Sequence, residues 1–146
     1  MIQRIQSIFL LISSILIALS IFFPVILLTD VNYLNKMTAF KTGNTGALMH
    51  IFGLVLTISF VMVFTSIFYY NKRTLQIKLN KIVVWSNCLI ITAFLIISIY
   101  VSNNSLLTVK PGISSFFILF STILLIMAIR RIRKDDNLIK SIDRIR

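Results

Sequence analysis

Four stretches of this chain contain no Asp, Glu, Lys or Arg: Ile5 to Thr29, Thr42 to Asn71, Ile82 to Val109 and Pro111 to Ile129. About 20 apolar helical residues, rising about 1.5 Å each, cross the roughly 30 Å hydrocarbon core of a bilayer, so every stretch is long enough to span. The expected fold is therefore an all-α membrane protein, a bundle of four transmembrane helices at about 5–29, 46–71, 82–102 and 111–130, with a cytosolic tail over 131–146. Four spans consume most of the 146 residues, which leaves one membrane domain over 1–146 and no separate soluble domain. The hydrophobic share of 58 % exceeds what a water-soluble core requires, in keeping with lipid as the solvent.

The net charge of +11 would suggest nucleic-acid binding in a soluble protein, but the placement of the charges argues against it. Arg4, the group Lys72, Arg73, Lys78 and Lys81, and the seven basic residues beyond Ile129 put twelve cations on one side of the spans. Lys36, Lys41 and Lys110 leave three on the other. Because Lys and Arg are retained in cytoplasmic loops, this asymmetry predicts that both termini and the middle loop face the cytoplasm, an N-in/C-in arrangement. The first apolar run is longer than the apolar region of a signal peptide, about 7 to 15 residues, and no small-x-small cleavage site follows. It is expected to stay attached as the first helix. Cys88 is the only cysteine, so an internal disulfide is excluded and the redox compartment cannot be read from it.

Small and polar residues mark the faces expected to look into the bundle. Gln6, Ser13 and Ser20 recur at seven, as do Gly46 and Gly53, while Ser114, Ser115, Ser121 and Thr122 form a stripe on the fourth helix. Pro24 removes one backbone donor and crowds the carbonyl of Ser20, which predicts a kink or frayed exit from the first helix. In the first outer loop, Val31 to Leu34 and Met37 to Lys41 are expected to form a short β-hairpin turning at Asn35 and Lys36. Trp85 and Tyr100 stand where interfacial aromatics would. Asn103 to Ser105 suit a turn, and Pro111 with Gly112 suits the start of the fourth helix. Asp136 or Asn137 suits the cap of a short cytosolic C-terminal helix with Leu138, Ile142 and Ile145 on one face. A continuation of the fourth span fits the same residues.

The opening Met1-Ile2-Gln3-Arg4-Ile5-Gln6, the Phe22-Phe23-Pro24 end of the first span and the closing run from Arg130-Arg131-Ile132-Arg133-Lys134-Asp135-Asp136 to Asp143-Arg144-Ile145-Arg146 carry a resemblance. The chain resembles a family of small four-span bacterial inner-membrane proteins grouped as a domain of unknown function. The resemblance runs end to end, with its specific features at the two termini, and implies four helices with both termini inside. It implies no activity, cofactor or catalytic residue. An Asp-Glu pair is common in the family where Asp135 and Asp136 stand, and the charge is kept.

Among the functional chemistries, the absences weigh most. The chain has no Glu, and its four Asp residues lie outside the uncharged stretches, so the intramembrane carboxylate that couples ion or proton movement is missing. A small multidrug exporter, with its essential Glu in the first helix, does not fit. A quinone-linked thiol oxidase needs a cysteine pair and does not fit either. His50 and Asp30 are the weak candidates for chemistry at the outer surface, with Ser102, Ser105 or Ser114 as a nucleophile, but their spacing matches no known motif. A metal site is weaker still with one His, and no cofactor is expected. An enzyme is not expected.

The basic tail is the stronger candidate. Arg130, Arg131, Arg133, Lys134, Lys140, Arg144 and Arg146 lie directly below a span, and each such charge near an anionic leaflet contributes about 1 kcal/mol. The expected contacts are anionic membrane lipids and a membrane or cytosolic protein partner, with no nucleic acid. The leading reading is thus a non-enzymatic accessory or scaffolding subunit of the inner membrane. A small transporter or channel-like bundle lined by the serine stripes is the alternative, and an outer-surface membrane enzyme the third.

Overall fold

The computed structural model describes residues 2–29, 34–38, 46–70, 72–104 and 108–143. Four helices, α1 (Ile2–Phe22), α2 (Gly46–Phe68), α3 (Arg73–Asn104) and α4 (Ile113–Asp143), alternate with strands β1 (Pro24–Thr29), β2 (Leu34–Thr38) and β3 (Thr108–Pro111). Each helix packs on two neighbours in cyclic order: α1 on α2 and α4, and α3 on α2 and α4. The starts of α1 and α3 and the ends of α2 and α4 meet at one end of this assembly, and the strands lie at the other.

The buried positions repeat at alternating steps of four and three. They run Gln6, Leu10, Ser13, Ile17, Ser20 on α1, and Leu56, Ser59, Val63, Ser66 on α2. On α3 they are Gln76, Asn80, Val83, Asn87, Ile90, and on α4 Ser114, Ile118, Ser121, Leu125, Ala128, Ile132. A mean spacing of 3.5 keeps one seam facing its neighbours and is the signature of helices packed at a shallow left-handed angle. The seam alternates apolar with small or polar side chains, whereas Ile, Leu and Phe dominate the outside, among them Ile8, Leu54, Ile58, Leu89, Ile96 and Phe120. Such burial is inverted relative to a water-soluble bundle, whose outer face is charged. By length and composition three segments are able to cross a membrane: His50–Phe68, Arg73–Ile99 and Ile113–Leu138. Gln6–Phe22 is apolar but shorter.

Several expected boundaries are corrected. α1 ends at Phe22 rather than running to 29, because Pro24 disfavours helical geometry at Phe23 and the following Val25 and Ile26 are β-branched. α3 begins at Arg73, not 82, and α4 runs to Asp143, so that of the two arrangements open to the tail it continues the fourth helix and does not form a separate one. Charge marks where an apolar span ends, not where a helix ends: Leu, Lys, Gln and Arg are good helix formers, and no Gly or Pro interrupts 73–104 or 113–143. Asn103 and Asn104 accordingly close α3 rather than opening a turn, and neither Asp136 nor Asn137 caps a helix.

The hairpin expectation is also corrected. Asn35 and Lys36 lie within β2, opposite Leu28 and Leu27 of β1, instead of forming a turn. The remaining expected strand residues, 31–33 and 39–41, lie outside the described residues. The sheet is three-stranded in the order β2-β1-β3, all pairs antiparallel, so β1 is the central strand. Pro111 ends β3 instead of starting α4, at an edge position where its missing donor removes no ladder bond that β1 needs.

Candidate functional site

At the strand end, the sheet is tied to the helices by backbone. Pro24 has no N–H to offer the carbonyl of Ser20 four residues earlier, and the hydroxyl of Ser114 donates to that carbonyl at 2.6 Å instead. Gly112 N–H donates to the Val25 carbonyl at 3.0 Å, and a Cβ at Gly112 would fall on the Pro24 carbonyl and within 2.9 Å of the Val25 carbonyl carbon. The edge-on contact of Phe23 with Phe117, at 5.6 Å between centroids, closes the corner. This end is a structural joint. Ser114 is consumed by it and is not available as a nucleophile. His50 is exposed at the start of α2, Asp30 and Ser105 lie outside the described residues, and the side chain of Ser102 is not described. Among the described residues no group of His, Cys and Asp side chains gathers as metal ligands would.

The interior is polar but largely self-satisfied. Ser13, Ser20 and Ser121 donate to the carbonyls of Leu10, Ile17 and Ile118, three residues back on their own helices. Between helices, Ser59 and Ser86 pair at 3.1 Å, Gln76 Nε2 donates to the Ser66 carbonyl at 3.1 Å, and Asn87 Nδ2 donates to Thr122 Oγ1 at 3.3 Å. Among the described residues of α3, the fully buried Asn80 and Asn87 each leave one atom without a partner, Nδ2 of Asn80 and Oδ1 of Asn87. The single proton of the Ser66 hydroxyl is within reach of both the Val63 carbonyl, at 2.8 Å, and Asn80 Oδ1, at 3.1 Å. In either orientation of the Asn80 amide one of its polar atoms is therefore left without a bond.

The charge-rich end is where sequence candidates converge. Arg130, Arg131, Arg133 and Lys134 are all exposed on α4. Lys140 lies further along the same helix, its side chain outside the described set, and Arg144 and Arg146 lie outside the described residues. α4 does not leave the other helices where its apolar span stops. Ile132 is 1 % exposed, Gln6 of α1 donates to the Asp135 carboxylate, and the Arg131 guanidinium sits 5.6 Å from the centroid of the Phe9 ring. The start of the tail thus extends the packed seam, with Arg130, Arg131, Arg133 and Lys134 on a helix packed against α1.

Besides one lined by Lys72, Arg73, Thr74, Leu75 and Asp136, two clefts open at this end among the described residues. One, of about 450 Å³, lies among Gln6, Ile8, Ile67, Tyr70, Arg73 and Gln76, and the Nη1 atom of Arg73 is buried without a hydrogen-bond partner. The other, of about 270 Å³, lies between α3 and α4, where Lys81 and Trp85 face Arg130 and Arg133 across an apolar floor of Val84, Ile126 and Ile129. Sequence reasoning counted Arg73 and Lys81 only toward charge asymmetry and Trp85 only as an interfacial anchor. The eight-residue step from Arg73 to Lys81 and the four-residue step to Trp85 were readable, but which helix they would face was not.

The chain belongs to a family defined by a domain of unknown function, DUF4293, whose model matches residues 2–145. That agrees with the resemblance carried by the two termini. Comparison with curated proteins and with solved structures finds no match.

Proposed function

We propose that this protein is a four-span component of the bacterial inner membrane, with both termini cytoplasmic, acting as a non-enzymatic accessory or scaffolding subunit. The observation that carries this reading is the packed continuation of α4: beyond the end of its uncharged stretch at Ile129, Ile132 is buried and Asp135 accepts a hydrogen bond from Gln6 of α1, so that Arg130, Arg133 and Lys134 are presented from a packed helix. A surface fixed in this way suits docking, since little side-chain and backbone freedom remains to be lost on binding. The inverted burial supports a membrane setting, and the shorter α1 is accommodated by local thinning or by its continuation into β1. Against a solute path, Ser13, Ser20, Ser114 and Ser121 are buried and bonded to carbonyls, and none of them lines the three clefts described at the charged end.

The test compares proteins that co-purify with three forms in lipid discs: the full chain, a chain ending at Ile129, and the full-length Arg130→Gln/Arg133→Gln/Lys134→Gln variant. A partner retained by the full chain and lost from both altered forms is expected. The triple variant matters because truncation also removes the Arg131 and Asp135 contacts with α1. If all three forms come alone, the accessory reading fails.

A further inference from the structure

The cleft between α3 and α4 gathers three cations, Lys81, Arg130 and Arg133, and among the described residues no carboxylate lines it. The cations come from two different helices and converge at the level where both helices pass from uncharged to charged sequence: Lys81 immediately precedes Ile82, and Arg130 immediately follows Ile129. Trp85, 73 % exposed, stands one turn from Lys81 on the apolar side. Below the cations the floor is Val84, Ile126 and Ile129. The arrangement has a charged mouth, an aromatic rim and an apolar floor, in the order that a bilayer presents phosphate, glycerol and acyl chain.

We propose that this cleft is a binding site for a single anionic phospholipid. Its phosphate is held by Lys81, Arg130 and Arg133, and one acyl chain lies along the groove between α3 and α4. The inference rests on the membrane reading above. Arg supplies paired donors to phosphate oxygens and Lys a mobile point charge, so the mixed set holds a phosphodiester without demanding one headgroup orientation. The apolar floor is what selects a lipid over a free phosphate ion, which would gain nothing from Val84, Ile126 and Ile129. A zwitterionic lipid brings its own cation into the cluster and is disfavoured.

Trp85 is the only tryptophan in the chain and reports on the site directly. The full-length protein is reconstituted into phosphatidylcholine vesicles in which a rising fraction of either phosphatidylglycerol or phosphatidylcholine carries brominated acyl chains, and Trp85 fluorescence is followed. Quenching by brominated phosphatidylglycerol is expected to saturate at a low mole fraction, whereas brominated phosphatidylcholine quenches only in proportion to its abundance. Lys81→Gln and Arg133→Gln are each expected to raise the half-quenching fraction about fivefold, the effect of one cation near an anionic surface. Lys110→Gln, exposed at the strand end and outside the cleft, is expected to leave it unchanged. Equal quenching by the two lipids, insensitivity to both cleft variants, or loss of the saturable phosphatidylglycerol quenching when inorganic phosphate is added overturns the proposal. Absence of quenching by any brominated lipid overturns the membrane reading itself, which separates the two failures. Helical circular dichroism of each variant verifies folding, since the exchanged residues are exposed.

Discussion

Pro24 and Gly112 show how two residues set the geometry of one end of the molecule. The proline frees the Ser20 carbonyl and turns the chain into β1, and Ser114 supplies the missing donor from α4. The glycine lets the start of α4 approach the backbone of Pro24 and Val25 more closely than any side chain allows. Gly112→Ala is expected to destabilise the protein by about 1–3 kcal/mol, because the obstructing atoms are backbone and yield only by shifting β1. Unfolding of the detergent-solubilised variant checks this, and an unchanged transition would show that the corner is looser than its contacts imply. Pro24 was legible in sequence as a helix-breaking residue, but the donor that repairs it lies 94 positions from the carbonyl it serves.

At the scale of elements, the 3.5-residue seam explains which polar side chains face inward. Gln6, Ser13 and Ser20 on α1, and Ser114, Ser121 and Thr122 on α4, were readable from their spacing and are buried. On α3 the buried stripe is more polar still, with Gln76, Asn80 and Asn87 in one line. Asn87 pairs with Thr122 yet leaves its Oδ1 without a partner. Asn87→Leu keeps approximate volume and removes that orphaned acceptor, while Thr122 retains its bond to the Ile118 carbonyl at 2.7 Å. Stability in a denaturant titration is expected to be unchanged or to rise by up to about 1 kcal/mol, since interhelical bonds of this kind average about 0.6 kcal/mol in membranes. A loss above about 2 kcal/mol would mean that Oδ1 is satisfied and the pair is structural.

The whole molecule has two dissimilar ends, a sheet-covered one and a basic one, joined by helices of unequal length. At about 1.5 Å per residue, α3 and α4 are about 48 and 46 Å long and exceed a bilayer core of about 30 Å. If they span, their surplus lies at the basic end, where the cation count predicts cytoplasm. In a Cys88→Ser background, Lys78→Cys is therefore expected to react with a membrane-impermeant maleimide only after the membrane is opened, and His50→Cys in intact cells. The reverse pattern would invert the topology and place the proposed lipid site in the other leaflet.

The existence and approximate places of the helices, their apolar character and the family were legible in the order of residues, because hydropathy, charge and terminal motifs are local properties. Where each helix stops was less legible, since charged residues such as Arg73, Lys78 and Arg133 continue a helix as readily as they end a span. The sheet was misread because β1 pairs with β2 on one side and with β3, from the loop before α4, on the other, and pairing across that distance leaves no local trace. The meeting of Lys81 with Arg130 and Arg133 is of the same kind. Each cation was visible alone, but only packing α3 against α4 brings them to one cleft, because the face a helix turns to its neighbour is set by every contact along the seam.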